Sequence, residues 1–388
     1  MIAKIPIISS AAGAADIILA SLDNGRRARG QFIRVLKAST RSRFVHLTDS
    51  GITAFYIALK AMRRLSPNDE VVVPAYTAGS LVVAIRKAGL RPVPCDVSLD
   101  SFGYDPAQLA QLISGRTLVV TAVHLFGIGS EMPALREACP GAFIIEDCAQ
   151  AMGSRIAGRF AGESGDIGFF SFNRGKNLPL SSGGCVTVTR ADFAQAVSEE
   201  AAALGRPAAA GAAAGRAFAF WAASRPLVYG AAFPLISRFK ETAPPGDFKP
   251  RRMDDFTASL GARLILREEE ISARRFENGN CLSAGLKGIK GLRLASIPHG
   301  DRPVYNRFPV IFDDTSALAK AEKALWSAGF ESSRMYLRPL HRMFDLGYRP
   351  AEFPKAAYLA GHLLTVPCHP DCSIRDCAKM ITVIRGCV

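Results

Sequence analysis

Three residues in the middle of the chain stand where chemistry is done. Asp147 closes the apolar run AFIIED (142–147), Ser171 sits near the end of the run IGFFSF (167–172), and Lys176 follows five residues after that serine in a polar, turn-rich loop. A carboxylate directly after a buried strand is costly unless it meets a cation or leaves the core. A pyridinium nitrogen is such a cation. Asp147 would hold that nitrogen protonated and the ring electron-poor, and small Ala149, two residues on, could lie flat against the ring. The Lys176 amine, beside a phosphate-binding serine, could form a Schiff base with an aldehyde cofactor and shuttle protons afterwards. Taken singly, each residue has a plainer account: a helix N-cap or salt bridge for the acid, a solvated surface amine for the lysine. The joint arrangement favours the chemical reading, because acid, serine and lysine all fall at the ends of neighbouring strands. That chemistry is the chemistry of pyridoxal 5'-phosphate.

A fourth piece lies upstream, in DSGITAFYIALKAM (49–62). Gly51 precedes an amphipathic helix, so the backbone can approach an anion there, and the free N–H groups of Ile52 and Thr53, with the helix dipole, attract a phosphate. Ordinary capping by Ser50 or Asp49 explains the turn equally well. The position of the turn at one edge of the expected sheet is what adds weight.

The elements that must position these residues alternate along the chain. FVHL, EVVVP, RPVPCDV and TLVVTAVHLF read as strands, with helices predicted over 53–64, 80–88 and 106–113 between them. Strands apolar throughout, alternating with helices, predict an α/β fold with a mostly parallel central sheet covered on both faces. Ligands of such sheets gather at the carboxyl ends of the strands. A large domain is expected over residues 1–245. Residues 246–388 should form a linking helix from Asp254 to Asn278 and a smaller C-terminal α/β domain that could close over a substrate, with Arg338 and His341 as candidates for its cleft.

Composition narrows the function classes. With 388 residues, 49% of them apolar, the chain can bury a large core, and intrinsic disorder is excluded. Forty-eight Lys and Arg against 34 Asp and Glu give a formal charge of +14, which suits anionic partners. No basic run with interleaved aromatics occurs, so no nucleic acid is expected as a partner. Nine cysteines, an odd number scattered through the chain and partly inside apolar strands (Cys95, Cys185), fit a reducing cytoplasm better than a disulfide framework. The densest set, Cys368, His369, Cys372 and Cys377, reads as core thiols rather than a metal site, since Cys372 and Cys377 do not share a helix face. Lys4 and the apolar run after it faintly resemble a secretory signal, against which Asp16 and the long run of small residues argue.

Two rival motifs can be weighed. A P-loop around Lys176 fails on glycine spacing and on Asn177, which stands where a Ser or Thr would hold magnesium. Gly127-Ile128-Gly129-Ser130-Glu131-Met132, followed by Asp147 at the end of the next strand, imitates a dinucleotide site, although Met132 replaces the third glycine. A nicotinamide oxidoreductase is therefore the minority reading.

Set side by side, VVVPAYT, DPAQLAQLISGRTLVVTAVHLFG, IIEDCAQAMGS, GDIGFFSFNRGKNL, SSGGCVTVT and FPKAAYLAGHLLTVPCHP resemble, in order and spacing, the DegT/StrS-type family of pyridoxal phosphate-dependent sugar aminotransferases. The likeness covers residues 30–200 strongly and 250–388 more loosely. It implies the aspartate aminotransferase fold, type I, and a homodimer with each active site completed by the partner subunit. It implies that Lys176 bonds the cofactor, Asp147 pairs with its ring nitrogen, Gln150 sits near its ring hydroxyl, and Ser171 with the Ile52 and Thr53 amides holds its phosphate. The substrates it implies are an amino acid donor, glutamate first, and a keto sugar acceptor, nucleotide-linked, in amino-sugar or surface polysaccharide biosynthesis. Presence of Lys176 disfavours the dehydratase variant of the family; a non-catalytic scaffold docked at a membrane is the non-enzyme alternative. Three positions depart from the pattern. Ala78 follows Thr77 where many relatives carry a ring-stacking aromatic, leaving Tyr76 as a candidate. Ile52 stands for a common Thr, and Pro250-Arg251-Arg252-Met253 replaces Asn-Tyr-Arg-Met.

The segment over residues 207–240 is an insert rich in alanine and aromatics, interrupted by arginines. Its longest uncharged piece, Pro226 to Ser237, has twelve residues, too few to span a bilayer. It could lie on a membrane surface with Phe218, Phe220, Trp221 and Tyr229 immersed, or form a helical hairpin packed on its own subunit or a dimer mate. The expected location is cytoplasmic, with peripheral membrane contact as an option.

Overall fold

Strand β1 (Phe44–Thr48) opens a seven-stranded sheet that continues with β2 (Glu70–Pro74), β3 (Arg91–Cys95), β4 (Thr117–Val123), β5 (Phe143–Asp147), β6 (Ile167–Ser171) and β7 (Gly184–Val188). The computed structural model describes residues 3–23, 25–236 and 246–388. Strand order is β1-β7-β6-β5-β4-β2-β3. Only β7 runs against its neighbours, pairing antiparallel with β1 and β6, while the others are parallel.

Along β2, β5, β6 and β7, successive residues feed opposite cores. Val71, Ile145, Phe169 and Val186 join the helices Gly51–Leu65 and Ser80–Lys87 on one face. Val72, Ile144, Phe170 and Cys185 join the helices Gly25–Ser39 and Asp255–Leu264 on the other. Two buried faces explain why the strands are apolar at every position rather than every second one. The sheet's carboxyl edge therefore collects Asp147, Ser171, His124 and the start of the Gly51–Leu65 helix, as a doubly covered parallel sheet requires.

The helix expected from Asp254 to Asn278 is in fact two. Asp255–Leu264, capped by Asp254 accepting from Thr257 N at 2.8 Å, packs beside Gly25–Ser39. A short 3-10 turn, Ile265–Arg267, follows, and Glu268–Leu286 then runs against the C-terminal helix Ile374–Arg385. Gly261 permits the first contact, since a Cβ there would lie 2.5 Å from Phe32 Cε1. The small domain's sheet joins β8 (Leu292–Arg293), β9 (Phe308–Phe312) and β10 (Leu363–Val366), all antiparallel.

The insert forms two helices, Ala210–Ala223 and Pro226–Ile236, and residues 237–240 of the expected segment lie outside the described residues. Ala213 and Ala217 are buried where the first helix meets Ala14–Ser21 and Asp255–Leu264. Tyr229 is buried and Phe233 stacks on Trp326 at 3.8 Å. The expectation that Tyr229 is immersed in lipid is thus corrected: it packs on its own subunit. Phe218, Leu227 and Val228 stay exposed, as do Ile18, Leu19 and Leu22 on the neighbouring helix. Among the described residues no helix is long and apolar enough to cross a membrane.

The nine cysteines are free thiols. Cys368 donates to the Arg275 carbonyl at 3.3 Å, and Cys372 lies against His369, whose Nε2 approaches the Pro6 carbonyl at 2.9 Å. This set ties the N-terminal segment to the small domain.

Candidate active site

Asp147 and Lys176 face each other across adjacent strand ends. Asp147 is buried, and its Oδ1 accepts the Ala149 amide at 2.9 Å. Burial raises its pKa above the ordinary carboxylate range, opposed by that amide and by the nearby charge of Lys176. Lys176 is displaced the other way, down to about 8, first by burial and further by Arg307, with Asp147 pulling it back up. An acid and an amine moved toward each other by desolvation are what a catalytic pair needs near neutral pH.

The loop carrying Lys176 is held from outside the sheet. Gly175 adopts φ +76°, a region glycine enters freely, and its carbonyl accepts Asn306 Nδ2 at 3.3 Å. Arg275, buried in the Glu268–Leu286 helix, donates through Nη1 to the Tyr305 and Asn306 carbonyls, both at 3.1 Å. Asn177 donates to the Met152 and Val304 carbonyls at 3.1 and 2.8 Å, which is its role in place of a magnesium ligand.

Beneath Asp147 lies a second acid with a different fate. Glu146 is buried and accepts the amides of Gly162, Ser164 and Gly165 while meeting His124 Nε2 at 2.9 Å. His124 Nδ1 accepts the Ser130 amide at 3.1 Å, so the ring proton faces Glu146. With Cys148 these two form the one cluster of metal-ligand type among the described residues. Its carboxylate is already filled by amides and its histidine is spoken for on both nitrogens. The pair is structural, and it fixes the strand end that presents Asp147.

A close approach of backbone at the helix start is visible in glycine contacts. A Cβ on Gly51 would lie 2.7 Å from Ser171 Cβ and 3.1 Å from its Oγ, and one on Gly184 would lie 2.6 Å from Gly51 N. Ser50 caps the helix, with its Oγ accepting Thr53 N at 3.3 Å. The Thr53 amide is therefore occupied and Gly51 N faces the Gly183–Gly184 backbone, which leaves the Ile52 amide beside Ser171. Gly51→Ala is expected to weaken pyridoxal phosphate binding at least tenfold with the fold intact, the usual cost of one methyl in a closed contact. Absorbance titration measures it, and an unchanged affinity would remove this turn from the site.

Gln150 joins the loop after β4 to the segment after β9. Its Oε1 accepts the Phe126 amide at 3.1 Å and its Nε2 donates to the Tyr336 hydroxyl at 3.2 Å. Tyr336 in turn meets Tyr76 edge-on, with ring centroids 5.4 Å apart. Ala149 is half-buried beside them. Two residues of this cluster, Tyr336 and Arg307, were not singled out from sequence. The signal for Arg307 was present, since VYNRFPVIF sets an arginine at the mouth of an apolar strand. Arg338 and His341 do not join the cluster: Arg338 is exposed, and His341 Nε2 meets the Pro350 carbonyl at 3.2 Å while its ring packs on Phe353.

The dinucleotide reading is overturned here. A Cβ on Gly127 would lie 2.3 Å from the Val304 carbonyl oxygen, and one on Gly129 would lie 2.6 Å from Ile156 Cγ2. Protein fills the space a pyrophosphate would need.

The model of the DegT/DnrJ/EryC1/StrS aminotransferase family matches residues 14–385. The chain belongs to that family. This aminotransferase is 29% identical over 345 residues to the UDP-N-acetyl-3-dehydro-alpha-D-glucosamine 3-aminotransferase of Acidithiobacillus ferrooxidans, covering 87% of this chain and 82% of the relative. It is 27% identical to the dTDP-3-amino-3,4,6-trideoxy-alpha-D-glucose transaminase of Streptomyces venezuelae, covering 87% and 81%. Among solved structures, S. venezuelae DesV superposes with a TM-score of 0.76 at 25% identity over 96% of this chain and 93% of that one. The aminotransferase also shares its fold with Spr1654 of Streptococcus pneumoniae, at 21% identity and a TM-score of 0.79, covering 98% of each chain. The expected type I α/β architecture is the observed one.

The donor set fits pyridoxal phosphate. A buried carboxylate with no ion pair among the described residues, a lysine beyond the adjacent strand end, and a glycine cradle that one methyl would fill match the ring nitrogen, aldehyde and phosphate of that group.

Proposed function

We propose that this aminotransferase moves an amino group from an amino acid, glutamate first, to a nucleotide-linked keto sugar, with pyridoxal 5'-phosphate as cofactor, in amino-sugar or surface polysaccharide biosynthesis. The observation that carries this is the placement of buried Asp147 and Lys176 at adjacent strand ends, near enough for each charge to act on the other, with the Gly51–Ser171 cradle alongside. The relatives' named sugar substrates support the acceptor class.

The bound cofactor would supply an electron sink for the carbon that loses its proton. Asp147 would keep that sink charged by holding a proton on the ring nitrogen, and the Ser171 hydroxyl with the Ile52 amide would hold the phosphate. Lys176 Nζ, neutral above about pH 8, takes the α-proton from the donor as general base and returns a proton when the acceptor is aminated. Gln150 and Tyr336 fix the side of the site opposite the sheet. The test is formation of 2-oxoglutarate from glutamate with a panel of UDP-, dTDP- and GDP-linked keto sugars. No turnover with any pairing would defeat the proposal.

The protein is further proposed to act as a homodimer and to touch membranes through Phe218, Leu227, Val228, Ile18, Leu19 and Leu22, an exposed apolar set flanked by exposed Arg206 and Arg216. Sedimentation with vesicles containing anionic lipid should pull down the wild type, and not a Phe218→Ser, Leu227→Ser, Val228→Ser variant. Dissociation of the dimer by that variant, with no vesicle binding by the wild type, would make the patch a subunit interface instead.

A further inference from the structure

Arg307 enters the site from the start of β9, and among the described residues it is the cation whose charge acts directly on Lys176, Arg275 being turned to backbone carbonyls. Its Nη2 lies 3.4 Å from where a Cβ of Gly175 would stand, immediately beside Lys176. The backbone around it is rigidly placed: Asn306 holds the Gly175 carbonyl, and Arg275 holds the Tyr305 and Asn306 carbonyls. Yet the Arg307 Nε is buried with no hydrogen-bond partner. Among the described residues, none pairs with its guanidinium. The acid whose charge acts on it is Glu331, whose Oε2 accepts the Ile7 amide at 2.7 Å.

A guanidinium carries five donors and does not shed its charge, so leaving it unpaired inside a site costs free energy. The cost is greater beside a second cation, and Arg307 is one of the charges that depress the Lys176 amine. Such a group calls for an anion, and its planar fork matches a carboxylate in a two-point contact.

We propose that Arg307 binds the α-carboxylate of the amino donor. This rests on the transaminase reading above and names how that site selects its donor. Position decides between the two anions the reaction brings in. The α-carboxylate is one bond from the carbon whose proton Lys176 removes, so its cation must stand beside Lys176, as Arg307 does. The phosphorus of a glycosyl diphosphate is at least three bonds from any ring ketone carbon, which places its cation farther out. Held by Arg307, the donor presents its α-proton toward Nζ, and a primary amine without that carboxylate is not oriented.

The test follows the donor half-reaction of the holoenzyme by stopped-flow absorbance, in wild type, Arg307→Gln and Arg307→Lys. With L-glutamate and with L-alanine, which lacks the side-chain carboxylate, Arg307→Gln should lose roughly a hundredfold in the second-order rate constant, mostly through weaker saturation, and Arg307→Lys should recover part of it. With 4-aminobutyrate, which lacks the α-carboxylate, the slow wild-type rate should be unchanged. Calorimetric affinity for UDP, dTDP or GDP, whichever the wild type binds, should also be unchanged. Loss confined to glutamate with alanine spared would assign Arg307 to the side-chain carboxylate and overturn the proposal. Loss of nucleotide affinity with the donor half-reaction intact would assign it to the acceptor's phosphates, with the same result. An equal loss with 4-aminobutyrate would make its role structural. A wild type inert toward every amino acid would sink the transaminase reading and this assignment with it, a pattern unlike the other three.

Discussion

Lys176→Ala is expected to lower turnover by roughly ten-thousand-fold or more, since it removes the proton-transferring base and the covalent anchor together. The fold should survive, because what the structure asks of residue 176 is mainly its backbone, whose carbonyl faces the Arg275 Nη2 at 3.5 Å. Two readouts separate this from general damage. Borohydride reduction of the wild-type holoprotein should fix the cofactor's mass on the peptide carrying Lys176, and reduction of the variant should fix none. The rate at which cofactor-free wild type takes up the aldehyde should climb with pH around 8, because the depressed amine becomes neutral there rather than near the ordinary lysine value of 10.5. Labelling at a different lysine would refute the assignment.

Asp147→Asn should have opposite effects on two properties. Turnover is expected to fall by roughly a hundred- to a thousandfold, the scale for losing one preorganised charge at a reacting centre. Stability without cofactor should rise. Burial raises the Asp147 pKa in the folded chain, so the unfolded chain releases this proton first as pH increases. Stability is therefore lost between the unfolded and folded pKa values and stays lost above them. An asparagine has no such penalty, so the cofactor-free variant should melt higher than cofactor-free wild type at neutral pH, with the difference shrinking in acid. Saturating cofactor should reverse the order by supplying the cation. Equal melting temperatures in both states would mean that the carboxylate is solvated and meets no ring nitrogen.

Much of this site was legible because its parts lie on consecutive strands of one sheet. The apolar runs ending in Asp147 and Ser171 are strands by composition alone, and parallel order brings their carboxyl ends together without further information. Gly51 was legible as a turn open to an anion but its contacts were not, since its closeness to Ser171 and Gly184 comes from β7 running antiparallel between β1 and β6. Arg307 and Tyr336 were missed for a related reason. They come from the small domain, more than 150 residues from Asp147, and no local periodicity reports which side chains of one domain face another. His124 was also missed, because the end of an apolar strand does not announce itself as the partner of a buried acid on the next strand. The long charged helix failed at its middle: helix propensity continues through Ile265–Arg267, and only packing against two different partners breaks it there.

The N-terminal segment changes how movement in this molecule should be pictured. Ile5 bridges to Gly329 and Glu331 by backbone hydrogen bonds of 2.8 and 2.9 Å, Pro6 meets His369, and Ile8 sits against Gly175 beside the catalytic lysine. Arg275 and Asn306 fasten that same loop to β9. The small domain was expected to swing down on a substrate held by the large one. Strapped in this way it cannot swing without carrying Lys176 along, so a hinge at this place would displace the reactive amine from Asp147. A closing motion at this place would then carry base, donor-binding arginine and strap along together.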